Sequence, residues 1–401
     1  MKVNWLYVDF NSYFASVEQH LNPRIRGKPV AVVPMLADTT CVIAASYEAK
    51  KFGIKTGTRV GEAKRMCPGL ILKTGQHGEY VNYHKLLIEV IESCHPVTAV
   101  ASIDEVACAL NGRDRNIENA VSLAKEIKNK IYQNIGESFS CSIGLAPNRF
   151  LAKVASDMQK PNGLVTILRE DLPHKLFQLK LQDLIGIGPR MAERLNKSGV
   201  YTVEKLYACS IDELRRIWGG IGGERFYKWL RGEDIEIIHN ENQSIGHSHV
   251  LPPIQRNPKD AYQVGHKLLH KAAVRLRKLG SWTRHMAIGV RNMDNSSTWG
   301  ELKMLECQDT FTLQEAFEQI WRTLLFKKPL KVSVTLSHLV HENERTFSFF
   351  ENPKRERLSH TIDALNSRFG KNTIYLGSIH ESLDSAPTRI AFSSIPDIEN
   401  F

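Results

Sequence analysis

Short apolar runs of strand length punctuate the first part of the chain: WLYVDF, KPVAVVP, CVIAAS, SFSCSIGLA and GLVTIL. Between them apolar residues recur at helical spacing. The clearest helical period covers 116–135, NIENAVSLAKEIKNKIYQNI, with apolar residues at 117, 121, 124, 127, 131 and 135 along one face. Interleaved strands and helices predict an α/β or α+β domain up to about residue 165. From 171 to 233 the strand-like runs give way to short helices with glycine turns. The polar stretch HNENQSIGH, 239–247, reads as a linker or the entry to a new unit. Beyond it, HMAIGVR and KVSVTLSHLV flank two predicted helices, 257–279 and 312–326, the pattern of a small α+β module. After 344 the pattern is mixed, and FENPKRER is expected at the surface.

A chain of 401 residues exceeds one ordinary core, so two to four domains are expected. Hydrophobic content of 42% with 24% charged residues fits a soluble globular protein. No apolar run reaches the roughly 18–20 residues that cross a bilayer. Lys2 precedes a strand-like run rather than the apolar core of a leader. The seven cysteines are scattered and form no CxxC pair, which favours a reducing compartment over a zinc knuckle. A cytoplasmic location is the expectation. The net charge of +10 points to a polyanionic partner.

Where the charges fall changes the picture more than their number. WLYVDF ends on Asp9, and VTAVASIDEVACAL places Asp104 and Glu105 inside another strand-like stretch. Burying unpaired carboxylates costs several kcal/mol, and three near one point repel each other. Either each acid is exposed at a strand end, or a divalent cation gathers them. Mg²⁺ suits the second case, because it takes hard oxygen ligands and shares them with substrate phosphates. Neighbouring strand residues point to opposite faces, so Asp104 and Glu105 converge only at a strand end, turn or bulge.

Basic residues form three further groups. SYEAKKFGIKTGT sets Tyr47, Lys50 and Lys51 beside a glycine-containing turn, and APNRFLAKVASDMQKPNG sets Arg149, Lys153 and Lys160 on or next to one helix. Two like charges one helical turn apart, Arg149 and Lys153, are mildly destabilising unless an anion such as phosphate lies near. LIGIGPRMAERL carries Gly186 and Gly188 in a turn that feeds a helix at Pro189, where backbone N–H groups and the helix terminus suit a phosphate. Lys267, Lys271, Arg275 and Lys278 share a face of the predicted helix 257–279, opposite Leu268, Ala272, Leu276 and Leu279. That face is either a solvated one or a phosphate track.

Taken in order, VDFNSYFASVE, YEAKKFGIKTG, SIDEV, IGLAPNRFLAKVASDMQKPNG and LIGIGPRMAERL resemble the Y family of translesion DNA polymerases, of the bacterial polymerase IV and polymerase V catalytic-subunit type, over about residues 3–345. The resemblance implies an α+β multidomain right hand: palm 1–10 and 77–166, small fingers 11–76, helical thumb 167–235 with a helix-hairpin-helix, α+β little finger 241–345, and a tail 346–401. It implies template-directed addition of deoxynucleotides to a primer 3′ end by two-metal phosphoryl transfer with Mg²⁺, at low fidelity, in damage tolerance and the SOS response. Asp9, Asp104 and Glu105 then become the catalytic metal-binding acids, with the Phe10 carbonyl as a further ligand. Phe14, Tyr47, Lys50 and Lys153 become nucleotide-binding, with Phe14 selecting the sugar.

The same resemblance assigns Gly186, Gly188, Lys267, Lys271 and Arg275 to DNA. Lys50 stands where the family usually has arginine, which keeps the charge and loses the planar fork. Arg149 replaces the more usual lysine, and Asn11 occupies a position that is often aspartate. TFSFF, 346–350, is similar to peptides that dock on the sliding clamp, here through Phe347, Phe349 and Phe350. Expected partners are primer-template DNA, deoxynucleoside triphosphates and the clamp, with no membrane and a monomeric chain. Two competing readings remain. One is a catalytically weak polymerase-like DNA-binding subunit of a mutagenesis complex, although such relatives typically lose the acids. The other is a different two-metal nucleotidyl or phosphodiester enzyme, which would not need the hairpin and the basic C-terminal module.

Overall fold

The computed structural model describes residues 1–235, 243–345, 352–387, 390 and 395. Two compact units divide the chain, Met1–Ile237 with Arg389–Phe401, and Ile238–Thr388.

In the first unit the elements run β1 (Trp5–Phe10), α1 (Tyr13–Leu21), β2 (Val30–Val33), β3 (Ala44–Ala45), α2 (Tyr47–Lys50), α3 (Val60–Met66), β4 (Ile71–Thr74), α4 (His77–Glu92), β5 (Ala99–Ser102) and β6 (Glu105–Ala109). They continue with α5 (Ile117–Asn134), β7 (Cys141–Ala146), α6 (Arg149–Met158), β8 (Leu164–Thr166), α7 (His174–Phe177), α8 (Pro189–Lys197), α9 (Val203–Ala208), α10 (Ile211–Trp218) and α11 (Ile221–Leu230). Five strands form one sheet in the order β5-β6-β1-β7-β8, with β1 antiparallel to both its neighbours. The two-residue period of β1 divides its side chains between two cores. Leu6, Val8 and Phe10 pack with residues of α4 and α5, while Tyr7 packs with α6 and the helices that follow. Asp9 shares the Tyr7 face. The whole of WLYVDF is therefore apolar because both faces of the strand are covered, and the charge stands at its covered end.

A glycine fixes how closely α6 lies on that sheet. A Cβ at Gly144 in β7 would lie 1.9 Å from the Ala152 carbonyl oxygen, so only glycine lets α6 seat there. The helix begins at Asn148, whose Oδ1 accepts from Leu151 N at 2.8 Å and whose Nδ2 donates to the Trp229 and Glu233 carbonyls, both at 2.9 Å. A smaller sheet, β3-β2-β4, has its own core around Ala31, Val33, Ile54 and Ala63. CVIAAS, expected as a strand, contributes only the two-residue β3.

The second unit contains β9 (Ser244–Val250), α12 (Pro258–Lys278), β10 (Ser281–Asn292), β11 (Ser297–Cys307), α13 (Thr310–Trp321), β12 (Pro329–His341) and α14 (Pro353–Phe369). Its sheet has the order β11-β10-β12-β9 with every pair antiparallel. Met286, Ile288, Val290, Val332, Val334 and Leu336 bury one face against α12 and α13. Two stretches gain detail here. The polar stretch 239–247 is in part a strand, since β9 starts at Ser244. PKRER, expected at the surface, is largely exposed there and opens α14, where Asn352 caps the helix and Pro353 takes its first position.

Candidate active site

Asp9 and Glu105 are Cα partners across the β1/β6 pair, so their side chains leave the sheet on the same face. Asp104 lies just before β6 in the two-residue turn from β5, and the pairing is irregular between Val100 and Ser102. The turn frees Asp104 from the strict strand alternation that would set it on the face opposite Glu105. The turn is pinned from three sides. Phe10 N donates to the Asp104 carbonyl at 2.8 Å. Ser102 Oγ donates to Asp104 Oδ1 at 2.6 Å, and His84 Nδ1 meets the Ile103 carbonyl at 2.8 Å. Burial raises the Asp104 pKa, and the nearby charges of Glu105 and Asp9 add to the rise.

Lysines supply the compensating charge. Lys153 Nζ lies 2.5 Å from Asp9 Oδ2, 2.9 Å from Glu105 Oε1 and 3.0 Å from Asp157 Oδ1. Lys160 Nζ lies 2.7 Å from Asp9 Oδ2 and 2.8 Å from Asp157 Oδ1. Burial opposes the Lys153 charge, but Asp9, Asp157 and Glu105 outweigh it and raise its pKa. Tyr7 OH donates to Glu105 Oε2 at 2.9 Å, and burial with the Glu105 charge pushes its own pKa up. Tyr7, Asp157 and the carboxylate contacts of Lys160 were not legible as site features. A signal existed for two of them: Tyr7 shares the strand face of Asp9, and Asp157 lies one helical turn after Lys153.

The donor set suits a hard divalent cation, since it consists of carboxylate oxygens at the ends of two paired strands with the Phe10 carbonyl at the close of β1. Among the described residues no three His, Cys, Asp or Glu side chains form a ready cluster of ligands. What joins Asp9 to Glu105 here is the Lys153 ammonium.

Tyr47 and Lys50 stand on α2, with Lys50 Nζ 4.3 Å from the Tyr47 ring centroid. Burial, with the charges of Asp9 and Asp157, pushes the Tyr47 hydroxyl up to about 12. Partial desolvation and the Lys160 charge lower the Lys50 pKa, against the pull of Asp9. These shifts tie α2 to the acids through space. Between β1 and α1 the chain turns through Ser12 at φ 48°, a left-handed conformation. Asn11 braces this corner: its Oδ1 accepts from Asn162 N at 2.7 Å, and its Nδ2 donates to Ser142 Oγ at 3.0 Å. The buried amide is thus a strut. Tyr13 is also structural, with its hydroxyl donating to the Tyr80 carbonyl at 2.6 Å. Phe14 is half-buried and stacks on Tyr80, centroids 4.3 Å apart and planes 13° from parallel.

The expected DNA contacts divide. Gly186 takes φ +90°, and Gly188 is the N-cap residue of α8, with no atom within 4 Å of the point where a side-chain methyl would stand. A second glycine turn, Gly219 and Gly220, joins α10 to α11. On α12, however, Lys267 is only 4% exposed and donates to Asn372 Oδ1 at 3.2 Å, and Lys271 donates to the Ala386 carbonyl. Arg275 is half-buried. Residues 371–386 thus cover Lys267 and Lys271 on the face that helical spacing presents as an open basic track, while Lys278 at its end is exposed. Exposed Arg291 and Lys303 lie on the sheet face turned away from the helices. There Arg291 pairs with Ser297 and Lys331, and His285 with Lys303 and Ser337. Trp299, 65% exposed, crosses Gly289 on the same face. Phe347, Phe349 and Phe350 lie outside the described residues.

A two-strand carboxylate site backed by a lysine-bearing helix, with paired helical hairpins behind it, defines a class of nucleic-acid polymerase. The chain belongs to the Y family of DNA polymerases, and its α+β multidomain fold is the right hand of that family. Residues 8–157 match the impB/mucB/samB family, residues 242–349 its C-terminal domain, and residues 179–232 a SAM-like helix-hairpin-helix tandem. The chain is similar to DNA polymerase IV of Moorella thermoacetica, 31% identical over 92% of this chain and 94% of that one. It is similar also to DNA polymerase IV 1 of Bacillus subtilis, 30% identical over 96% and 95% of the two chains. Among solved structures, a Y-family Dbh-Dpo4 polymerase chimera superposes with a TM-score of 0.73 at 25% identity, covering 84% of this chain and 99% of that one. An insertion ternary complex of Dbh DNA polymerase gives 0.58 at 25% identity over the same shares. Dependence on a divalent metal comes with the family. No helix among the described residues is long and apolar enough to cross a membrane.

Proposed function

We propose that Asp9, Asp104 and Glu105, with the Phe10 carbonyl, hold two Mg²⁺ ions, and that this site performs template-directed DNA synthesis of the translesion type. The observation that carries the reading is the registered pair Asp9–Glu105, with Asp104 in the adjoining turn and both paired carboxylates on one ammonium. When bound, the metal pair supplies acidification of the primer 3′-hydroxyl and charge neutralisation around the α-phosphorus.

The chain itself supplies positioning. Tyr7 orients Glu105, and Ser102 orients Asp104. Lys153 and Lys160 keep positive charge beside the acids and, with Tyr47, Lys50 and Arg149, bind and orient the triphosphate. Lys50 acts as a point charge, lying over Tyr47 rather than clasping phosphate in a planar fork. Phe14 closes the sugar side and excludes a 2′-hydroxyl by contact. Gly186 and Gly188 admit the duplex backbone to the start of α8 without reading sequence.

The substrates are primer-template DNA and deoxynucleoside triphosphates, handled by a monomer in the cytoplasm. Palm 1–10 and 77–166, fingers 11–76, thumb 167–235 and little finger 241–345 are the functional divisions, with 346–401 as the tail. Docking on the sliding clamp is assigned to 346–350 by its phenylalanines. Primer extension on undamaged and lesion-bearing templates tests the reading. Asp104→Ala and Glu105→Ala should each abolish extension by a chain that otherwise copies both templates, and full activity of either variant with Mg²⁺ would overturn it.

A further inference from the structure

Glu18 is a carboxylate that the proposed chemistry does not use, yet it is only 1% exposed on α1, one turn after Phe14. A buried carboxylate needs donors, and two are present. Tyr80 OH donates to Glu18 Oε1 at 2.7 Å, and Gln76 Nε2 lies 3.2 Å from Oε1 and 3.0 Å from Oε2. The Glu18 carboxylate is the acceptor that holds the Tyr80 hydroxyl in place. The Tyr80 ring it anchors is fully buried and stacks on Phe14. Tyr13 OH, bonded to the Tyr80 carbonyl at 2.6 Å, fixes the backbone of the same residue. Phe14 therefore rests on a ring clamped at both its hydroxyl and its main chain. Its other ring neighbours are looser: His77 meets it edge-on at 6.2 Å and Tyr13 lies tilted at 5.8 Å.

We infer that Glu18 is a positioning residue for sugar selection, acting through the Tyr80 hydroxyl to hold the ring against which Phe14 is stacked. The inference rests on Phe14 being the sugar-selecting residue. A contact that rejects a 2′-hydroxyl works only while the rejecting ring cannot retreat, and the Glu18–Tyr80 bond removes the direction of retreat. Without the carboxylate, the buried Tyr80 hydroxyl loses its acceptor, and the ring settles elsewhere.

The test is single-nucleotide insertion with matched deoxy- and ribonucleoside triphosphates, separating kcat from KM, for Glu18→Ala, Glu18→Gln, Tyr80→Phe and Phe14→Ala, each checked by thermal melting. Glu18→Ala and Tyr80→Phe should each reduce discrimination against the ribonucleotide by about tenfold, mostly through its KM. Their double variant should be no worse than Glu18→Ala alone, because the Glu18–Tyr80 bond is already lost in it. Glu18→Gln keeps an acceptor oxygen and should retain most of the discrimination. If Phe14→Ala lowers discrimination while Glu18→Ala and Tyr80→Phe leave the ratio unchanged, the positioning role is wrong. Should Phe14→Ala itself leave the ratio unchanged, the sugar-selecting assignment fails first and takes the inference with it. Should Glu18→Ala fail to fold, Tyr80→Phe alone decides, since it deletes one oxygen and keeps the stacked ring.

Discussion

Asp9 faces Glu105 directly across the β1/β6 pair, and Lys153 bonds both carboxylates from above. Opposed like charges weaken a strand pair, so the ammonium is part of what allows these strands to end side by side. Lys153→Met should lower stability by about 2 kcal/mol in urea denaturation, below the ~3–5 kcal/mol typical of breaking a buried pair because Lys160 still reaches Asp9. In an Asp9→Asn background the same change should cost much less; equal costs would show that Lys153 does not serve the pair. The Lys153 pKa is raised, so while its partner carboxylates are ionised this contribution is complete below the ordinary 10.5 and is lost as pH rises through the higher folded value.

The two glycines before α8 should separate folding from binding. Gly186 at φ +90° would be strained by any side chain, and Gly186→Ala should cost about 1–2 kcal/mol of stability. Gly188 has extended backbone and open space around it, so Gly188→Ala should leave the melting temperature unchanged. Its methyl would nonetheless stand where a phosphate meets the helix terminus. Fluorescence anisotropy with primer-template DNA should show affinity reduced about two- to fivefold, the worth of one helix-terminus contact. Unaltered affinity would remove this hairpin from the DNA contacts.

Local signals carried some of these features and missed others for identifiable reasons. The period of 257–279 anticipates α12, Pro258–Lys278, to within a residue, because an apolar stripe on a capped helix is a local property. β11 escapes notice since it is an edge strand whose side chains are half-buried at best until Cys307, so its alternation carries little hydrophobic contrast. α14 is invisible to periodicity for a different reason. It docks through polar groups: Arg277 donates from Nε and Nη2 to Asp363 at 2.6 and 3.0 Å, and Thr310 N donates to Ser359 Oγ at 3.2 Å. Lys267 shows the limit of a helical wheel, which marks a polar face but not the later segment that covers it. At the acids, their place in apolar strand-like runs marked Asp9, Asp104 and Glu105 as candidates, while only the register reveals that Asp9 and Glu105 are paired.

The second unit should lose stability in mild acid through two half-buried histidines. His247 is pushed down to about 4 by burial and the charges of Lys271 and Arg275, and His270 to about 3 by burial with His266, Lys267 and Arg277. In the unfolded chain both titrate near 6.5. As pH falls through that value the unfolded state takes up protons that the folded state refuses, so stability is complete above it and declines toward pH 4. Each histidine adds about one proton to the slope of stability against pH. His270→Gln should reduce that slope by about one proton between pH 6 and 5, measured by denaturation across the interval. An unchanged slope would mean that His270 titrates freely in the fold.

Salt dependence should distinguish the two faces of the same unit. A cation that neutralises a DNA phosphate releases counterions, so its removal lowers the slope of log affinity against log salt by about one. Arg291 and Lys303 project from the open sheet face, while Lys267 is occupied by Asn372 beneath residues 371–386. Arg291→Ala and Lys303→Ala should therefore each weaken primer-template binding on every sequence and flatten the salt dependence. Lys267→Ala should leave the slope as it was, whatever it does to stability. The opposite result, a slope lowered by Lys267→Ala and untouched by Lys303→Ala, would return the DNA track to α12 and require 371–386 to leave that helix on binding.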